Sequence, residues 1–400
     1  MVLDLETVRS NLERIAAIGA DPEGGISRMF GTSFIQEAQP VLQEYFESCG
    51  METWVDSVGN VHGLLRSGKK DAQEILIGSH YDTVKQGGMF DGLMGVIAGA
   101  EAAREFHKEN GSLTKDLHVI ATNGEEGNDL GGTFGSRAMA GLLDVKSEAY
   151  LEKAKAFGYS KEDLCSAVLD TSRAQCYLEL HIEQGPTLDK YKEQIGIVTG
   201  IVGLRRFKVT VHGISNHAGT TMMEDRDDAL TSAAQIILMA DELARETGHH
   251  FVKTFGIMHI FPCTVATIPN RVEMVLEIRN EDEKLMDRFM DIFTQKALQL
   301  AKVEIEPIVA KAPVKCSAEI AEITEEICKE EGIRYRIMPS GATHDGNAMA
   351  LKVPIGMIFV PSRAGISHSK EEWTDWKDVY TGISVLYKVI KKLESEETLC

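Results

Sequence analysis

The sequence predicts an α/β protein in which one discontinuous domain is interrupted by a smaller α+β domain. Three observations carry this reading. Residues 74–121 run strand, loop, helix, strand, with polar residues where the strands stop, which is the pattern of a βαβ unit. Residues 204–309 follow a different order, β-α-β-β-α-β, that of a ferredoxin-like module. Beyond residue 316 the first pattern resumes with a helix, an apolar strand and a terminal amphipathic helix. The domains are therefore expected at 1–203 with 312–400, and at 204–311 between them. A chain of 400 residues is long enough to bury two such cores.

Each element has its own signal. Leu5, Val8, Leu12 and Ile15 recur at helical spacing, and 34–46 is a second amphipathic stretch. Met51–Asp56 and Asn60–Arg66 have β character on either side of a turn and read as a hairpin. The apolar run Glu74–Gly78 ends in Ser-His-Tyr-Asp, and a helix follows from about 92 to 108 with Val96, Ile97, Ala100 and Ala103. A second buried strand, Leu117–Ala121, ends in Asn-Gly-Glu-Glu. In the inserted module, Phe207–Val211 alternates apolar and polar residues and is expected to form a sheet edge. A helix over 228–245 and strands over 254–261 and 271–279 follow, with Val272, Met274, Leu276 and Ile278 on one face. A helix over 283–300 and a strand over 303–309 complete it. The last elements are helix 317–331, strand 354–360 and helix 376–393, whose acidic tail Glu394–Glu397 is expected to fray.

Composition narrows the function. With 61 acidic against 42 basic side chains, the net charge is −19. Such a field disfavours sequence-independent binding to nucleic acid or anionic lipid. The N-terminal stretch carries acids where a signal peptide has lysines, and no window approaches the ~18 apolar residues of a membrane span. Seven scattered cysteines, never spaced Cys-x-x-Cys, read as reduced thiols of a cytoplasmic protein.

Histidines and carboxylates gather where strands end, the usual place for functional groups in open α/β sheets. His80 and Asp82 follow the 74–78 strand, and Asp91 closes the glycine-rich loop after them. Glu125 and Glu126 follow the 117–121 strand, His181 ends another, and His368 follows 354–360. Imidazole and carboxylate together suit zinc or manganese. The inventory supplies two ions: His80 and His181 for one, Glu126 and His368 for the other, Asp91 between them. Glu125 is then the general base for a water bridging the ions, and Asp82 an acceptor that fixes an imidazole tautomer. His107, His249, His250 and His259 have no supporting pattern.

The strings Gly78-Ser-His-Tyr-Asp-Thr-Val84, Gly87-Gly-Met-Phe-Asp-Gly92, Glu125-Glu126-Gly127 and Gly135-Ser-Arg137 resemble the metal motifs of the dinuclear-zinc aminoacylase and carboxypeptidase-G-like hydrolases. Leu180-His-Ile-Glu-Gln-Gly185, Asn216-His-Ala-Gly-Thr-Thr221, and Ser340-Gly-Ala-Thr-His-Asp345 with Gly365-Ile-Ser-His368 narrow the likeness. They resemble the branch holding N-carbamoyl-L-amino-acid hydrolases, β-ureidopropionases and allantoate amidohydrolases. The resemblance covers nearly the whole chain. It implies a mixed-sheet metallohydrolase catalytic domain with an inserted dimerisation or lid domain, working as a homodimer. It also implies two divalent ions per subunit, zinc first and manganese second.

His217 matches a histidine that crosses the dimer to stabilise the oxyanion. Gln184 matches a substrate-polarising glutamine, Arg279 an arginine for a substrate carboxylate, and His344 a substrate-binding position. The string Ala266-Thr-Ile-Pro-Asn270 departs from the family's Asn-x-Ile-Pro-Gly, and Met222-Met223 from its Pro-Met. The metal core is intact while the substrate pocket differs.

The expected function is hydrolysis of a linear ureido or amide C–N bond in an N-carbamoyl amino acid or allantoate-like substrate bearing a carboxylate. The alternatives are a dipeptidase or N-acyl amino acid hydrolase on the same scaffold, and a catalytically silent binding protein. Two divalent ions would shift the net charge from −19 to about −15.

Overall fold

Apolar runs such as Ile75–Ile77 and Ile355–Val360 are stable as strands only where both faces of a sheet are covered. The computed structural model, which describes residues 4–109, 113–248 and 250–395, places both runs inside a nine-stranded mixed sheet. His249, Glu396, Glu397 and Cys400 lie outside the described residues. In chain order the strands are β1 (Glu52–Val55), β2 (Val61–Leu65), β3 (Glu74–His80), β4 (Asp116–Thr122), β5 (Ala174–Ile182) and β6 (Ile195–Ile201). They continue with β7 (Gly203–His212), β8 (Val252–Phe261), β9 (Arg271–Asn280), β10 (Lys302–Lys311), β11 (Val314–Lys315), β12 (Tyr335–Ser340) and β13 (Ile355–Val360).

The described chain divides into two compact units, one holding the residues up to Thr199 and again from Lys315, the other Gly200–Val314. The division falls a few residues away from the junctions read in the sequence, within β6 and β11.

The sheet of the first unit runs β1-β2-β4-β3-β5-β13-β6-β11, with β12 paired to β6. Its middle strands, β4, β3, β5 and β13, are mutually parallel. Their carboxyl ends therefore share one edge. His80 ends β3 and pairs with Thr122 at the end of β4, while His181 pairs with Phe359 of β13. The helix Leu93–Lys108 crosses from β3 to β4 and buries Val96, Ile97, Ala100 and Ala103. The terminal helix Trp376–Ser395 buries Val379, Ile383, Leu386 and Ile390 in the same core.

One expectation is corrected at that helix. Glu394 is not frayed: it accepts from the Thr114 amide and hydroxyl, and buried Lys115 donates to the neighbouring Leu393 carbonyl. The six described cysteines are unpaired. No helix of the described residues is long and apolar enough to cross a membrane.

The second unit is a four-stranded antiparallel sheet in the order β10-β7-β9-β8. The helices Ala229–Thr247 and Glu283–Leu300 cover one face, against Val272, Met274, Leu276 and Ile278. This corrects the expectation for Phe207–Val211, which lies in β7 between β10 and β9 and not at an edge. Each helix of a β-α-β-β-α-β chain returns its strand beyond a neighbouring one, so the first and third strands end inside. Exposed β8 and β10 form the edges instead.

The hairpin edge of the large sheet carries a buried polar ladder. The Trp54 ring stacks on His62 at 4.8 Å, and His62 Nδ1 lies 3.0 Å from His118 Nε2. His118 Nδ1 faces the Glu74 carboxylate at 3.7 Å. Burial pushes His118 below the ordinary imidazole range; Glu74 opposes this and His62 reinforces it. The unfolded chain then binds a proton below about pH 6.5 that the folded chain refuses, so stability should fall as pH drops through that value. Denaturant titrations of H118Q between about pH 5 and 7 should show a flatter slope than the parent. Equal slopes would remove His118 from the effect.

Candidate metal centre

Asp91 organises the site. Its Oδ1 lies 3.2 Å from His181 Nε2 and 3.6 Å from His80 Nε2. Its Oδ2 lies 3.3 Å from His368 Nε2, which is 3.4 Å from Glu126 Oε1. One carboxylate thus turns each oxygen to a separate donor group. Clusters of His80, Asp91 and His181, and of Asp91, Glu126 and His368, place their ligand atoms within 4.8 Å of one another.

The strand ends explain how these side chains meet. His80 and His181 sit on β3 and β5, whose carboxyl ends point the same way. Asp91 is carried by the loop into the helix Leu93–Lys108. Gly92 there has φ +65°, and a Cβ on it would lie 2.5 Å from the His80 ring, so only glycine allows the approach. His368 takes a left-handed backbone, φ +54°, to turn half-exposed toward Asp91.

The outer nitrogens set the tautomers. His80 Nδ1–H donates to the Asp82 carbonyl at 3.0 Å, and His181 Nδ1–H to the Ile182 carbonyl at 2.9 Å. Both rings therefore turn Nε2 toward Asp91, as a metal-binding imidazole requires. Asp82 thus meets the His80 ring through its backbone carbonyl, its carboxylate standing farther off at 3.7 Å. The carboxylate instead accepts from the amides of Gly124, Glu125 and Glu126 at 2.9–3.1 Å, fixing the loop that holds both glutamates.

Electrostatics follow from so many buried acids. Burial alone would raise Asp91, but His181, His368 and His80 hold it well below the carboxylate range. Burial alone would lower His80, yet Asp91, Glu125 and Asp82 lift it well above the imidazole range. His368 is raised to about 9, chiefly by Asp91. Burial, with the charges of Glu126, Asp345 and Asp82, pushes Glu125 well above the carboxylate range, and Glu126 rises to about 7. Nitrogen and oxygen donors converging in an acid-rich, largely buried cluster suit a divalent cation, which would displace protons held among them.

The family is decided by this arrangement together with the whole chain. The pattern of peptidase family M20/M25/M40 matches residues 76–392. The chain belongs to that family. It is 36% identical over 406 residues to the N-carbamoyl-L-amino acid amidohydrolase of Geobacillus stearothermophilus, covering 98% of this chain and 99% of that one. It is 31% identical over 403 residues to the allantoate amidohydrolase of Escherichia coli strain K12, covering 97% and 98%. The crystal structure of an amidase of the hydantoinase/carbamoylase family from Burkholderia multivorans superposes with a TM-score of 0.89, at 27% identity over 99% of each chain.

Around the centre of this M20 chain lie further groups. Gln184, also left-handed at φ +55°, donates its amide to both Asp91 oxygens at 3.1 and 3.3 Å, and its Oε1 has no partner among the described residues. His344 is buried, its ring centroid 4.5 Å from that of His181 in an edge-to-face arrangement and its Nε2 2.8 Å from Ser340 Oγ. Its neighbour Asp345, also buried, takes the Thr122 hydroxyl. Glu372 and Glu179, which the sequence reading passed over, are both buried here, and Glu372 is raised to about 7 by burial and by Asp91. Glu372 lies four residues past His368 in one loop, a spacing that could have drawn notice.

His217 and Arg279 belong to the second unit. The His217 loop is tied to the 266–268 segment, with Ala218 N donating to the Ala266 carbonyl and Ile268 N to the Asn216 carbonyl, each at 2.9 Å. His217 Nδ1 accepts the Gly219 amide at 3.0 Å, which leaves the proton of the neutral ring on Nε2. On β9, Arg279 Nε donates to Glu277 at 2.8 Å.

Proposed function

We propose that this chain is a metal-dependent amidohydrolase that cleaves the linear ureido C–N bond of an N-carbamoyl amino acid or an allantoate-like compound. The products are the free amine, ammonia and carbon dioxide, with one water consumed. The observation that carries this is Asp91, whose two oxygens address two donor sets beside a buried glutamate. The named activities of the Geobacillus and Escherichia relatives support the ureido class.

His80, Asp91 and His181 would hold one divalent ion, and Asp91, Glu126 and His368 a second, with zinc first and manganese second. Bound there, the ions supply Lewis acidity to the substrate carbonyl and to water. Glu125, buried beside the centre, takes the proton of the attacking water and returns it to the leaving nitrogen. The Gln184 amide, turned from Asp91, donates to the developing oxyanion, and His217 Nε2–H does so across the dimer. His344 lines the substrate side of His181. Arg279 offers a planar fork to the substrate carboxylate. The inserted unit serves as the dimerisation and lid domain of a cytoplasmic homodimer.

A panel of N-carbamoyl, N-formyl and N-acetyl amino acids, allantoate and dipeptides tests the reading. Turnover is expected for ureido substrates, with kcat/KM at least tenfold above the acyl and dipeptide members, a difference of about 1.4 kcal/mol. Turnover confined to dipeptides or N-acetyl amino acids would replace this assignment.

A further inference from the structure

We propose that Glu372 is a positioning residue that aims the Asp91 carboxylate, and thereby sets how tightly the centre holds divalent ions. The inference rests on the metal reading above. Glu372 is 4% exposed. Its Oε1 accepts the amides of Phe90 and Asp91 at 3.1 and 3.0 Å, so one carboxylate oxygen fixes the backbone on which Asp91 is mounted. Its Oε2 lies 3.2 Å from the Ser367 hydroxyl, which is itself 3.3 Å from Asp91 Oδ2 and adjoins His368. Glu372 thus joins the loop of the shared carboxylate to the loop of a candidate ligand.

Two features show that the joint is built in. Gly88 has an ordinary backbone, yet a Cβ on it would lie 2.2 Å from Glu372 Oε1 and 2.5 Å from Glu372 Cβ. The glycine is there to admit this side chain. Phe90 is clamped by Trp373 and Trp376, each with ring centroids 5.4 Å away, so the segment after Glu372 grips the Asp91 loop again. A buried carboxylate compensated by two amides and a hydroxyl is expensive to keep for stability alone. Supporting groups of this kind, behind the ligands, alter metal affinity by about 10–100-fold when removed.

The test is zinc affinity of the chelator-stripped full-length protein, measured by competition with a chromophoric chelator. E372A should bind zinc at least tenfold more weakly than the parent. E372Q should stay within about threefold, because its Oε1 still accepts both amides while Nε2 donates to Ser367 Oγ. G88A should weaken binding by displacing the carboxylate, and that penalty should vanish in the G88A/E372A double variant, where the space is empty. Parental affinity in E372A, additive penalties in the double variant, or an E372Q as weak as E372A would each overturn the proposal. Should E372A not fold, G88A decides, and unchanged affinity there overturns it. A parent that binds no zinc would instead sink the metal reading itself.

Discussion

Glu125→Gln is expected to lower kcat/KM on a ureido substrate by about 10²–10⁴-fold, the range for removing a general base. The substitution keeps the volume of the side chain and the backbone bond from Glu125 N to Asp82 Oδ1 at 3.0 Å. What it removes is the ability to take and return a proton. Glu125 Oε2 stands 3.9 Å from His80 Nε2, close to the centre yet outside the contact distances of Asp91 with its imidazoles. Metal content, read by elemental analysis, should therefore stay at the parental level while turnover collapses. An unchanged rate would take Glu125 out of the mechanism. A loss of metal equal to the loss of rate would make it a ligand.

Asp91→Asn should have the larger effect on binding. Asp91 faces His181, His80 and His368 within 3.2–3.6 Å, and it is the one charge common to both donor groups. An asparagine retains the shape, but one of its two positions becomes an N–H₂ that cannot ligate a cation. Removing a ligand should cost more than the 10–100-fold of a supporting group, so affinity should fall beyond about 10²-fold. The parent at 100 times its Kd should gain about 2.7 kcal/mol of stability from the ion. Its Tm should accordingly rise with zinc and fall with chelator, whereas that of D91N should respond to neither. Parental zinc dependence in D91N would contradict the shared-carboxylate reading.

What was legible in the sequence follows from how local each signal is. The alternation of Val272, Met274, Leu276 and Ile278 marks the buried face of β9, because side-chain direction in a strand has period two whatever the partner. The strand-end positions of His80, Glu125, His181 and His368 were readable for a similar reason. An apolar run that stops at polar residues marks the end of a strand, and parallel strands put those ends together. The interruption of one domain by another showed as a change of element order.

Other features depend on which segments meet, and no local signal carries that. The place of β7 inside its sheet depends on β9 and β10, many residues away. The hold of Thr114 and Lys115 on the end of the last helix spans about 280 residues. Glu372 reaches Asp91 N across 281 residues, a contact that its spacing from His368 does not announce. Whether Asp82 uses its carbonyl or its carboxylate is a matter of ångströms within one loop. The sequence by itself determined the α/β class, the inserted module and the donors that strand ends can deliver, because periodicity and chain punctuation are short-range. Only the tertiary structure decided strand order, the facing of each Asp91 oxygen and the carboxylate behind it, because those are set by packing between distant segments.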